Sequence, residues 1–125
     1  MIENNPIKIL YVDDEETNLL LFSLTFRKYY KIKTATSGIE GLSIIESEPD
    51  INLVITDMKM PQMNGIEFIE KIKELKKDLP CAILSGYDIT EDIEGKVKTG
   101  FLVDYIMKPL SKVQIQLLVE RTIKR

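Results

Sequence analysis

The sequence predicts an α/β fold: a doubly wound sheet of five parallel strands flanked by five helices. Short apolar runs of strand length alternate along the chain with segments of helical periodicity. Several of these runs are apolar throughout, as strands covered on both faces are. The runs also end abruptly in residues that carry chemistry: Asp13-Asp14, Asp57, Ser85 and Lys108.

The elements follow in order. Ile7 to Val12 reads as a buried strand, and Asp14 to Lys28 as a helix, with Leu20 and Leu24 four apart and Leu19, Phe22 and Phe26 at helical spacing. "YKIKTAT" alternates as a strand at a sheet edge does. Ser37 is a cap candidate for a helix with Ile39, Leu42 and Ile45 at steps of three. Ile51 to Thr56 is the next buried strand, followed by the loop that begins at Asp57. Asn64 can cap a helix carrying Ile66, Ile69, Ile72 and Leu75. Pro80 opens the strand "CAILS". The helix from Thr90 to Lys98 contains Gly95, which costs roughly 1 kcal/mol relative to Ala. "VDYIM" is the last strand, and Lys108-Pro109 leads into a final helix with Val113, Leu117, Leu118 and Ile123.

A chain of 125 residues suits one compact domain, residues 1–125. With 17 basic and 20 acidic residues the net charge is −3, and the bases are scattered. Neither nucleic acid nor an anionic membrane is expected as a partner. No apolar stretch approaches the ~20 residues of a membrane span. "MIENNP" lacks the basic start and apolar core of a signal peptide, so the expected location is cytoplasmic. Cys81, in an apolar run, reads as a small buried hydrophobe. The chain has no histidine. That removes histidine-based hydrolysis and histidine zinc sites, and leaves carboxylates, hydroxyls, lysines or a metal to do any chemistry.

In an open parallel sheet, ligands bind beyond the carboxyl ends of the strands, where strand order reverses. If the order is 2-1-3-4-5, the reversal lies between the first and third strands, and Asp13, Asp14 and Asp57 converge there. Carboxylates so close raise one another's pKa, unless one takes a proton or a divalent cation settles among them. Oxygen-only ligands favour a hard ion, Mg²⁺ over Zn²⁺. An ionised Asp57 could then attack phosphorus and form an acyl phosphate. Lys108 and Ser85, from neighbouring strand ends, could partner the phosphoryl oxygens. Taken singly, each signal is weak: a strand-end Asp is usually a cap or turn former, and a Lys-Pro pair a solvated turn. It is their joint placement on four strand ends that points to a site.

With "ILYVDDEETN", "VITDMKMPQMNG", "AILSGYD" and "DYIMKPL" in this order and spacing, the whole chain resembles the receiver domains of two-component response regulators. The resemblance implies the flavodoxin-like order 2-1-3-4-5, shared with the chemotaxis regulator. It implies that Asp57 is the phosphoacceptor. It also implies that Asp14 and Asp57 bind Mg²⁺ directly with the backbone carbonyl of Lys59, and that Asp13 acts through a metal-bound water. Ser85 fills the family's Ser/Thr position, Lys108 its lysine position, and Tyr105 its switch aromatic. A cis Lys108–Pro109 peptide is implied too. The phosphoryl donor would be a separate histidine kinase or phosphotransfer protein. The output would be a changed surface along the fourth helix, fifth strand and fifth helix, read by an unidentified effector or output domain, and a phosphorylation-dependent dimer is one form it could take. The domain would be a regulator that catalyses only its own phosphorylation and dephosphorylation. "SGYD" and a Gly100-to-Lys108 connection one residue longer than in many members are similar to a subgroup joined to cyclic-dinucleotide phosphodiesterase or histidine kinase modules.

Two other readings compete. Phosphatases of the haloacid dehalogenase class also use an Asp nucleophile, but they carry a second acid two residues later, where this chain has Lys59. A flavodoxin-like cofactor binder needs a phosphate-cradling loop after the first strand, and Asp13-Asp14-Glu15-Glu16 would repel a phosphate there.

Overall fold

The computed structural model describes residues 6–123; residues 1–5, on which the reading of the N-terminus rests, and 124–125 lie outside them. Strands and helices alternate as β1 (Lys8–Val12), α1 (Glu16–Phe26), β2 (Lys31–Ala35), α2 (Gly38–Ser47), β3 (Leu53–Thr56), α3 (Gly65–Leu75), β4 (Cys81–Ser85), α4 (Glu91–Lys98), β5 (Asp104–Met107) and α5 (Lys112–Thr122). The strands pair in parallel in the order β2-β1-β3-β4-β5, as expected.

Side chains alternate across the pleat, so each central strand feeds two cores. Leu10, Val12, Val54, Cys81 and Ile83 face one side, with Ile45, Phe68, Ile69, Ile72 and Ile93 of α2, α3 and α4. Ile9, Tyr11, Leu53, Ile55, Ala82 and Leu84 face the other, with Phe22, Phe26, Ile115 and Leu118 of α1 and α5. Being needed on both faces is why these strands are apolar throughout. β2, at the edge, is only partly buried.

The helix starts are largely local chemistry. Ser37 accepts from the Glu40 amide, and Asn64 and Glu67 form a reciprocal capping box. α1 is the exception: its N-cap is Glu15, without a side-chain cap bond. The acids before it are used elsewhere.

The helix faces depart from the sequence expectation at several leucines. Leu20 and Leu24 of α1, and Val113 and Leu117 of α5, are about half exposed or more. The buried residues of these helices are Leu19, Phe22 and Phe26, and Ile115, Leu118 and Val119. Ile39 and Leu75 are exposed as well. α1 is apolar on nearly every side around Leu19-Leu20-Leu21-Phe22, so periodicity alone does not choose the face; contact with the sheet does.

Register places the site. Val12 lies opposite Thr56, and the Asp57 amide donates to the Val12 carbonyl at 2.9 Å. The next residue of each strand end is an aspartate. On the other side of the sheet centre, Ser85 pairs with Met107, and the Lys108 amide donates to the Ser85 carbonyl at 2.8 Å. One glycine is required by close approach. A Cβ on Gly65, the first residue of α3, would stand 2.5 Å from the Asp57 carbonyl oxygen.

Candidate functional site

Asp13 follows β1 directly and is completely buried. Its Oδ1 accepts from the Glu15 amide at 3.0 Å. Its Oδ2 accepts from the Tyr11 hydroxyl at 2.8 Å, the Asn18 amide nitrogen at 3.1 Å and the Lys108 ammonium at 3.0 Å. A buried carboxylate is tolerable only when so fully met by donors. This also explains the missing cap on α1: Asp13 turns inward and holds the Glu15 amide from there.

Asp57 follows β3 and is 9% exposed. Its Oδ1 accepts from the Met58 amide at 2.8 Å, and Lys108 Nζ stands 3.4 Å from Oδ2. Burial raises its pKa; Lys108 opposes that shift and the Asp13 charge adds to it. Burial pulls the Lys108 pKa down, but the hydrogen bond to Asp13 and the charges of Asp57 and Asp13 outweigh it, and the net shift is upward. The ammonium is therefore held charged. Burial and the neighbouring Asp13 push the Tyr11 phenol up, so it stays a donor.

Asp14 is exposed at the rim. Asp13, Asp14 and Asp57 each offer an oxygen, and these atoms all lie within 4.8 Å of one another. Three carboxylates facing one ammonium leave an excess of two negative charges. With no imidazole or thiolate among the donors, the set fits a hard divalent cation rather than zinc. Asp14, Asp57, Lys59, Gly86, Tyr87 and Lys108 line an open cleft of about 470 Å³ above the strand ends.

Asp13, Asp14, Asp57, Lys59 and Lys108 thus meet at the cleft, while Ser85 and Tyr105 lie beside it and connect through Tyr87. Ser85 is fully buried, its Oγ 3.4 Å from the Tyr87 amide that donates to it. The Lys108–Pro109 peptide is cis, as the resemblance implied. Lys59 lies at the cleft, its ammonium over the Tyr87 ring, and supplies no second acid. Tyr105 is 9% exposed, and its hydroxyl donates to the Tyr87 carbonyl at 2.6 Å. Its ring stands in the buried position, on the far side of Ser85's strand from the acids.

Three contributors were not singled out in the sequence: Tyr11, Asn18 and Tyr87. Tyr11 shares a strand face with Asp13, two residues on, and a buried tyrosine needs an acceptor; that alternation was the available signal. Asn18 lies in the first turn of the helix that follows the acid pair. Tyr87 gives no such signal, because Lys59 and Tyr105, which meet it, come from a loop and a strand distant in the chain.

Comparison with known proteins agrees with this geometry. Residues 9–120 match the family model described as the response regulator receiver domain. A response regulatory protein of Staphylococcus epidermidis is 35% identical over 94% of this chain and 49% of its own length. A probable cyclic di-GMP phosphodiesterase of Vibrio cholerae is 39% identical over 82% of this chain and 23% of its own. The chain therefore spans half or less of these two relatives. The crystal structure of a response regulator receiver domain protein from Clostridium thermocellum superposes with a TM-score of 0.87 at 30% identity, covering 95% of both chains.

Proposed function

The chain belongs to the response regulator receiver domain family, and on that premise we propose that it is a phosphorylation-dependent switch whose phosphoryl acceptor is Asp57. The observation that carries this reading is the Asp57 carboxylate itself. It sits at a central strand end, 9% exposed, with an ammonium 3.4 Å away and two further carboxylates whose oxygens lie within 4.8 Å.

In this mechanism an Asp57 oxygen forms a P–O bond while the P–N bond of a donor phosphohistidine breaks and the imidazole leaves with the electron pair. The phosphohistidine belongs to a histidine kinase or phosphotransfer module, because residues 1–125 hold no histidine of their own. Lys108, already between Asp13 and Asp57, offsets the charge that accumulates on the phosphoryl oxygens. Asp13 fixes Lys108 rather than reacting. Mg²⁺ would be held by Asp14, Asp57 and the Lys59 carbonyl, with Asp13 reaching it through a water, and when bound it would supply positive charge to the phosphoryl oxygens beside that of Lys108. Ser85 turns its hydroxyl to a phosphoryl oxygen, and the neighbouring Tyr105 carries that change to the surface of α4, β5 and α5, where an effector or output domain reads it. The chemistry is confined to the domain's own modification and its reversal, in the cytoplasm. Lys59 in place of a second acid argues against a general phosphatase.

Treatment with acetyl phosphate and Mg²⁺ should add one phosphoryl group to the wild-type chain, and none to Asp57→Ala, by intact-mass measurement. Equal labelling of the two proteins would reject Asp57 as the acceptor.

A further inference from the structure

Helix α1 has two apolar faces, and the sheet uses one of them. Leu19, Phe22 and Phe26 are buried in the core shared with α5. Leu20, Leu21 and Leu24 turn away from it and are 59%, 52% and 49% exposed. α5 lies on the same side of the sheet, close enough for the Lys112 ammonium to stand over the Tyr29 ring just past α1. Its Val113 and Leu117 are exposed as well. Single surface leucines need no explanation, but an apolar patch grouped on neighbouring helices marks a contact surface.

Charges bracket the leucines. Glu16 stands one turn before Leu20, and Arg27 and Lys28 stand about one turn after Leu24. All three are exposed. None of them joins an ion pair among the described residues. The helix dipole favours an acid at the start and a base at the end, but it does not explain three leucines left in water between them. The order along this face is acid, apolar, base. Turned about a two-fold axis level with residue 22, that order meets its own complement. Leu20 then faces Leu24 of a second copy, and Glu16 faces its Lys28. Positions 16 and 28 lie about 9 Å to either side of the axis, so both ends fall into register together.

We propose that the exposed face of α1 is a dimer interface for a second copy of this chain, formed by antiparallel pairing of the two α1 helices without phosphorylation. A partner of another sequence would have to supply a matching face, whereas this face is complementary to itself, as a two-fold interface requires. The surface is separate from α4, β5 and α5 as an output face, and the pairing does not depend on the role of Asp57. Three leucines from each copy make a small contact, which places the dimer at the weak, reversible end of such interfaces.

Sedimentation equilibrium of the unphosphorylated chain at low ionic strength, from micromolar to millimolar concentration, tests this. The wild type should show a reversible monomer–dimer equilibrium. Leu20→Glu sets a carboxylate against Leu24 of the second copy and should weaken association more than about tenfold. Its melting temperature should stay at the wild-type value, since the side chain is outside the core. Glu16→Lys alone and Lys28→Glu alone each bring like charges together twice per dimer, and each should weaken association about fivefold or more. An equimolar mixture of these two variants should recover the wild-type affinity as a heterodimer, because both crossing pairs are then opposite in sign again. A wild-type chain that stays monomeric at every concentration, a Leu20→Glu chain that associates like wild type, or a mixture no stronger than its components would each overturn the proposal.

Discussion

Replacing Gly65 with alanine tests how tightly the first turn of α3 is set against the phosphorylation site. The new Cβ would lie 2.5 Å from the Asp57 carbonyl oxygen, 3.1 Å from Met58 Cα and 3.3 Å from the Asp57 carbonyl carbon. All three are backbone atoms, so no side chain can rotate away. The Gly65 amide also donates to the Met58 carbonyl at 2.8 Å, which ties the same two segments together. Restoring ordinary contact needs a separation of about 1 Å, and overpacking of this kind costs about 1–3 kcal/mol. At about 3–6 °C per kcal/mol for a domain of this size, the melting temperature should fall by about 3–18 °C. A displacement of that size next to a reacting group slows chemistry by up to about a hundredfold, so phosphorylation of Asp57 by acetyl phosphate should slow well beyond what the stability loss explains. Gly95 in α4 is the control. A Cβ there meets nothing within 4 Å, and alanine in a helix interior is favoured over glycine by about 1 kcal/mol. Gly95→Ala should therefore raise the melting temperature where Gly65→Ala lowers it. Calorimetry gives the first readout and intact-mass kinetics the second. A Gly65→Ala protein that melts and phosphorylates like wild type would refute the claim that α3 is pinned to Asp57.

Two further outcomes follow from the hydrogen bonds. Asp14→Asn should weaken Mg²⁺ binding more than Asp13→Asn in a metal titration, because the Asp13 oxygens are already engaged by four donors while Asp14 is exposed; the reverse ranking would make Asp13 the direct ligand. Tyr105→Phe removes the donor to the Tyr87 carbonyl, and loss of one such hydrogen bond should speed amide hydrogen exchange in the Gly86–Ile89 loop by about fivefold; unchanged exchange would mean the latch does not restrain the loop.

The sheet and the acid cluster were legible because one physical requirement imprints both on the sequence. A strand covered on two faces is apolar along most of its length, as at Leu53–Ile55 of β3, and so an acid just past its end stands out. Parallel register then does the rest, since Val12 opposite Thr56 puts Asp13 beside Asp57 without any side-chain choice. Helix faces were less legible. In α1 four consecutive apolar residues, Leu19 to Phe22, satisfy any face, and only docking on the sheet decides that Leu19 and Phe22 are buried while Leu20 and Leu21 stay in solvent.

Side-chain contacts between loops were not legible at all, and the reason is local. Lys59 and Tyr87 are 28 positions apart in the chain, in loops whose conformations depend on how β3 and β4 pair and where α3 and α4 begin. Nothing in the composition of either loop requires a lysine to meet a tyrosine. Asp57 differs, because its carboxylate has to project from the strand end whatever the loop after it does. The strand ends therefore fix which groups can react, whereas the loops after them are free to vary what surrounds those groups. On that division, the proposed role of Asp57 as phosphoryl acceptor draws on residues that the sheet positions: Asp13, Asp14 and Lys108. Substitutions at these three positions should abolish or sharply slow labelling of Asp57 by acetyl phosphate, and labelling at the wild-type rate would refute their part in it.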